Sequence, residues 1–162
     1  MTIKPYCNYL IRTSALFLII SLASCGISKR LAKENKAQQI TTYAKSFLGT
    51  SYRYGGTTSS GMDCSGLVYR SFYRNDIELP RTSKAMSKRG KKTKLRKVKI
   101  GDLLFFKTSN KWGGGINHVG FVIKADGRHT KFIHSTTSQG VVVSNLSQKY
   151  WRKSFKFAKR VL

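Results

Sequence analysis

Along this chain the spacing of apolar positions changes once, from helical to strand-like. Ala37, Ile40, Ala44, Phe47 and Leu48 recur at helical spacing until Gly49 stops them, and Leu67, Val68 and Phe72 mark one buried stripe on a second helix running from Cys64 to about Arg74. Asp63, just ahead of that stripe, is suited to cap it. After a polar and basic stretch the pattern shortens to strand-length runs: "DLLFF" (102–106), "HVGFVI" (118–123), "KFIHS" (131–135), "GVVVS" (140–144) and "FKFAKRVL" (155–162), separated by Gly, Asn, Asp and Ser turns. Helices first and strands afterwards predict an α+β fold, with helices packed on a central antiparallel β-sheet. "SYRYGGTTSSG" (51–61) reads as loop and "KAMSKRGKKTKLRKVK" (84–99) as a basic connector.

The N-terminus follows another rule. Lys4 and Arg12 precede "ALFLIISLA" (15–23), a positive region followed by an apolar run, which reads as an export signal. That run falls short of the ~20 apolar residues a membrane-spanning helix takes. "LASC" (22–25) then resembles the lipobox of bacterial lipoproteins, whose cysteine becomes the acylated first residue; ordinary cleavage near Ala23 and Ser24 is the other reading. The expected organisation is a lipoprotein signal peptide over 1–24, a polar tether over 25–36, and one folded domain over 37–162. Gly26, where many Gram-negative lipoproteins carry an inner-membrane retention Asp, favours an outer-membrane anchor through Cys25 facing the periplasm.

With 162 residues there is room for one domain. Lys and Arg number 31 against 6 Asp and Glu, a formal charge of +25, and removal of Lys4 and Arg12 with the signal leaves +23. Such a charge suits anionic surfaces and polymers of an envelope. It would also suit nucleic acid, but an export signal argues against that and no nucleic-acid motif accompanies it. The block from Lys84 to Lys99 is either a solvated loop or an electrostatic contact with the envelope.

Loss of Cys7 with the signal and acylation of Cys25 would leave Cys64 as the one thiol of the folded part, so no internal disulfide is expected. A cysteine in the first turn of a helix meets unpaired N–H groups and the positive end of the helix dipole, which lower a thiol pKa. It is equally common as a small core residue. A nucleophilic thiol needs a base, and imidazole titrates in the right range. A three-residue loop of Ala125, Asp126 and Gly127, with Gly127 left-handed, would close a hairpin that sets His118 opposite His134 on one sheet face, while His129 near the turn is expected to be solvated. One Cys and two His could then form a nucleophile, a base and the group that orients the base. Two structural histidines, or a zinc site of unusual spacing, are the competing readings.

Five ordered blocks narrow the choice. "YRYGGTTSSGMDCSGLV" (52–68), "LPRTS" (79–83), "IGDLLFF" (100–106), "NHVGFVI" (117–123) and "FIHSTTSQGVVVSNLSQKYW" (132–151) resemble, in the same order, the blocks of the NlpC family of bacterial cell-wall cysteine peptidases. The resemblance implies a small papain-like domain that hydrolyses peptide bonds in peptidoglycan stem peptides or cross-links without metal or organic cofactor, acting as a monomer. It implies that Cys64 is the nucleophile, His118 the general base and His134 the residue orienting it. Tyr52 corresponds to a tyrosine beside the thiolate, and Asp63 and Ser65 flank the nucleophile where the family contacts the stem peptide, although capping explains Asp63 equally well. Arg81 is expected only to buttress a loop. A catalytically silent envelope lipoprotein that binds peptidoglycan or a partner enzyme is the alternative.

Overall fold

The structure is a computed structural model that describes residues 26, 28–109 and 115–162. The expected signal segment and Cys25 lie outside the described residues. Two units are distinguished, residues 1–35 and residues 36–162. In the first, residues 28–35 of the expected tether are helical, with an Arg30–Glu34 pair at 2.9 Å one turn apart.

The second unit opens with helical residues 36–45 (α1), which bury Ala37, Ile40 and Ala44 and end through turns at Gly49. Leu48, expected on the same buried face, is instead 48% exposed because the helix has already ended at residue 45. A two-stranded hairpin follows, β1 (Thr57–Thr58) and β2 (Gly61–Met62), inside the stretch expected to be loop. Next come α2 (Cys64–Tyr73), the short α3 (Ser83–Met86), β3 (Lys91–Thr93), β4 (Leu103–Phe106), β5 (His118–Lys124), β6 (Lys131–Thr136), β7 (Gly140–Asn145), α4 (Lys149–Ser154) and β8 (Phe155–Arg160).

Six strands form one sheet in the order β3-β8-β4-β5-β6-β7, every neighbour antiparallel. Alternation along each strand divides its side chains between two cores. Leu103, Phe105, Val119, Phe121, Ile133 and Val141 pack with Leu67, Val68 and Phe72 of α2, while Leu104, Phe106, Val122, Phe132 and Ala158 pack with Leu146 and Trp151. The expected α+β arrangement of helices on an antiparallel sheet is what forms.

β3 and α4 are among the elements that carried no apolar signal. β3 is Lys-Lys-Thr and owes its strand to backbone pairing with β8 (Lys91↔Arg160, Lys92↔Lys159, Thr93↔Ala158). α4 buries chiefly Trp151, too little for a periodic stripe.

The hairpin between β5 and β6 differs from the expected register. Phe121 faces Ile133 and Val122 faces Phe132, with an irregularity between Val122 and Lys124. Carried back along the strands, this register sets Thr136 opposite His118 and Gly120 opposite His134. The connection is longer than a three-residue loop, because Gly127, left-handed at φ 49°, opens a 3₁₀ turn (Gly127–His129) instead of closing the hairpin. A shift of two residues preserves the face on which each side chain lies, so the two histidines remain neighbours, now along a diagonal.

Candidate active site

Cys64 is the first residue of α2, and its turn is built by one carboxylate. Asp63 Oδ1 accepts from the Gly66 N–H at 2.6 Å, from Ser65 Oγ at 3.0 Å and from Arg81 Nη1 at 2.9 Å; Oδ2 accepts from the Gly55 N–H at 2.8 Å and from Arg81 Nη2 at 2.8 Å. Arg81 also donates to Ser65 Oγ at 2.9 Å and to the Gly56 carbonyl at 3.2 Å. A carboxylate has about four lone-pair sites, so these five donors leave Asp63 none to offer a ligand, and the Ser65 hydroxyl proton is engaged on Asp63. Both residues expected to contact substrate are thus bonded into the turn. Burial raises the pKa of Asp63, but the Arg81 hydrogen bond, the Gly66 N–H, the Arg81 charge and the Gly55 N–H outweigh it and hold the carboxyl below its ordinary 3.8. Gly66 has a packing reason: a Cβ there would strike the Gly56 carbonyl.

The thiol is half-buried and unpaired with any other cysteine among the described residues. Burial pushes it up to about 11, against the backbone N–H groups of Val119, Ser65 and Cys64 that pull it down. The helix start was expected to lower this pKa; desolvation outweighs it, and Asp63 one residue away adds to the rise. The hydrogen bond from Val119, the residue after His118, brings the sulfur to the beginning of β5.

His118 Nε2 lies 3.0 Å from His134 Nδ1, and His134 Nε2 lies 2.9 Å from Ser144 Oγ. With Nε2 engaged on His134, Nδ1 is the other ring nitrogen of His118. Gly120 makes the diagonal contact passable, since a Cβ there would come within 2.9 Å of the His134 Cβ and 2.7 Å of the Ile133 carbonyl oxygen. Trp151 covers the pair: its ring stacks on His118 at 5.4 Å and meets His134 edge-on at 4.5 Å. Phe132 stacks on His134 from another side at 4.6 Å. In that enclosure burial lowers His118 to about 4, and burial together with the His118 charge lowers His134 to about 3. Both rings are therefore neutral at neutral pH.

Neutral rings admit two tautomer chains. If His118 carries its proton on Nε2, it donates to His134 Nδ1, His134 donates from Nε2 to Ser144, and His118 Nδ1 is a free base. The reverse chain would put the proton on Nδ1 and leave no base.

Tyr52 is half-buried and bridges to Met62, and burial, then Cys64, then Asp63 raise its pKa, so its hydroxyl stays a proton donor. Ser135 Oγ donates to the Met62 carbonyl at 2.8 Å, tying β6 to the residue two before the thiol. His129 is exposed on the β5–β6 connection. Among the described residues no three His, Cys, Asp or Glu side chains gather as a metal site. Ser144, Ser135 and Trp151 were not singled out from the sequence; only the last quoted block, which ends at Trp151, pointed to this region.

The profile of the NlpC/P60 family matches residues 49–160, more than half of the chain. The chain belongs to the NlpC/P60 family, a family of cysteine peptidases. It is 39% identical over 158 residues to the probable endopeptidase NlpC of Escherichia coli K12, covering 90% of this chain and 97% of that protein. It is 37% identical over 115 residues to the murein DD-endopeptidase MepS/murein LD-carboxypeptidase of the same organism, covering 70% of this chain and 57% of that longer protein. A crystal structure of an NlpC/P60 family protein from Bacillus cereus superposes with a TM-score of 0.70 at 30% identity, over 78% of this chain and 40% of that one.

Proposed function

We propose that this NlpC/P60 enzyme cleaves amide bonds in the peptides of peptidoglycan, with Cys64 as nucleophile, His118 as general base and His134 as the residue that orients it. The observation that carries the reading is the 3.0 Å contact between His118 Nε2 and His134 Nδ1, beside a thiol bonded to the backbone of β5. Since the thiol is raised and the imidazole lowered, the resting pair is neutral. His118 Nδ1 takes the thiol proton as sulfur attacks the carbonyl carbon. Backbone N–H groups at the start of α2 and the Tyr52 hydroxyl stabilise the oxyanion. The tetrahedral adduct collapses to a thioester as His118 hands its proton to the leaving amine; the same nitrogen then activates water, and hydrolysis regenerates the thiol. His134 Nδ1 accepts from the His118 imidazolium throughout, so positive charge on His118 is steadied without a carboxylate.

Among the candidate bonds, the D-Ala to diamino acid cross-link is favoured by likeness to MepS, whose name records DD-endopeptidase activity. The chain is further read as a lipoprotein, cleaved before Cys25 and acylated there, in the outer membrane facing the periplasm. Among the described residues no helix is long and apolar enough to cross a membrane.

The test is digestion of purified sacculi and of defined cross-linked muropeptides, with products weighed by mass spectrometry. Wild type should convert dimers to monomers and Cys64→Ala should not; undiminished release by that variant removes the assignment. Cleavage within one stem instead would keep the enzyme and move the bond. Palmitate labelling that persists in Cys25→Ser would remove the anchor.

A further inference from the structure

The segment from Lys84 to Lys99, expected to be a connector, runs from α3 through β3, the edge strand of the sheet, to a 3₁₀ turn. Met86 is fully buried, Thr82 caps α3 through the Ala85 N–H at 3.3 Å, and β3 hydrogen-bonds to β8 along the sheet edge. Yet all nine of its cations, Lys84, Lys88, Arg89, Lys91, Lys92, Lys94, Arg96, Lys97 and Lys99, are exposed. Among the described residues none of the nine forms an ion pair; Asp102, which accepts from the Lys99 backbone N–H, is paired with Arg160 at 2.7 Å. No Asp or Glu occurs between residues 79 and 101.

The pairing itself is unfavourable in charge. Lys92 lies opposite Lys159, and like charges directly opposite on neighbouring strands destabilise a sheet; Arg160, opposite Lys91, is paired with Asp102. Lysine on an edge strand does discourage strand addition, but one or two would do so. Lys91 and Lys92 stand on β3, with Lys94, Arg96 and Lys97 directly after it, so five of the nine cations gather on and just beyond the edge strand.

One residue says what that edge meets. Leu95 is 42% exposed at the head of a 3₁₀ turn (Leu95–Lys97), with Lys94 before it and Arg96 and Lys97 after it. A solvated polymer offers an aliphatic side chain nothing, whereas a bilayer interface offers acyl chain below a layer of phosphates.

We propose that the β3 edge, with Leu95 at its tip, docks on the headgroups of an anionic phospholipid bilayer. This stands independently of the catalytic reading. The His118–His134 pair sits three strand positions away on β5 and its neighbour, about 14 Å at the usual ~4.8 Å strand spacing. A membrane on the β3 edge therefore leaves the site uncovered.

The experiment uses the full chain and vesicles of phosphatidylcholine, alone or mixed with an equal part of phosphatidylglycerol. The readout is the ratio of partitioning between the two, which cancels the contribution of the N-terminal apolar run. Each cation near an anionic surface contributes about fivefold, so Lys91→Gln, Lys94→Gln and Arg96→Gln together should lower the ratio ~100-fold. Leu95→Ser should weaken binding to the anionic vesicles several-fold without changing its salt dependence. Lys45→Gln, Arg70→Gln and Arg74→Gln, the same charge change elsewhere, should alter the ratio far less; an equal fall would mean net charge and overturn the proposal. Equal partitioning of wild type into both vesicles overturns it, as does a null effect of Leu95→Ser with equally tight binding to soluble polyphosphate, which would make the edge a general polyanion site. Unchanged alkylation of Cys64 in each variant confirms that the fold is kept.

Discussion

His118 and His134 share a hydrogen bond of 3.0 Å although they are not opposite one another in the β5–β6 register. They meet along the diagonal, over a glycine, under an indole.

Gly120 is the space through which the diagonal passes. Gly120→Ala sets a methyl against the His134 Cβ and the Ile133 carbonyl, neither of which is a flexible chain end. Overpacking of this kind costs about 1–3 kcal/mol. Urea denaturation should show that loss, and kcat should fall further than the stability change explains because the histidines are forced apart. A stable, fully active variant would contradict the close packing.

Ser144 closes the chain at His134 Nε2, and the catalytic reading takes the tautomer in which its hydroxyl accepts. Ser144→Ala should lower kcat about tenfold with KM unchanged, the scale of one net hydrogen bond. Ser144→Thr keeps the hydroxyl and should restore the rate. Nitrogen-15 shifts of the histidines should show both rings protonated on Nε2 in the wild type and a mixture in the alanine variant.

Burial holds His118 near 4 and His134 near 3, below the ordinary 6.5. Between pH 6.5 and those values the unfolded chain binds protons that the folded chain does not, so stability falls as pH drops through that window and is independent of these groups above it. Asp63, lowered in the fold, contributes stability that is complete above 3.8 and is lost as pH falls below. The melting temperature should be level between pH 6.5 and 9.0 and decline as pH drops below that range, and His118→Asn with His134→Asn should flatten the upper part of that decline. A melting temperature that rises on acidification from 6.5 would show that the rings are charged in the fold.

The raised thiol predicts its own profile. Alkylation of Cys64 by iodoacetamide should be slow at neutral pH and accelerate toward the value near 11, so slow labelling does not mean a dead site. Rapid labelling that is flat across neutral pH would reveal a thiolate already formed at rest.

Arg81 clamps the turn that presents the thiol. Arg81→Met leaves Asp63, whose side chain is 10% exposed, without its charge partner. The cost should be about 2 kcal/mol, under the roughly 3–5 typical of a fully buried pair because Arg81 keeps a third of its side chain in water. Chemical denaturation measures it, and a loss of activity beyond that cost would show the clamp positioning Cys64.

Periodicity alone located α1, α2 and five of the six long-sheet strands, because each buries a stripe or an alternating face whose apolar residues are adjacent in sequence. It also set Cys64 at a helix start behind a capping Asp63, and set His118 and His134 on one sheet face, since parity survives a two-residue shift of register. β3 was invisible, being three polar residues that become a strand only when β8 supplies the hydrogen bonds. Only the tertiary structure decided the partners: which nitrogen of His118 meets which nitrogen of His134, that Ser144 completes the chain, and that Arg81 engages Asp63 from 18 residues away. It also decided the sign of the thiol shift, because a helix start is a local feature whereas desolvation depends on what the rest of the chain packs around the sulfur.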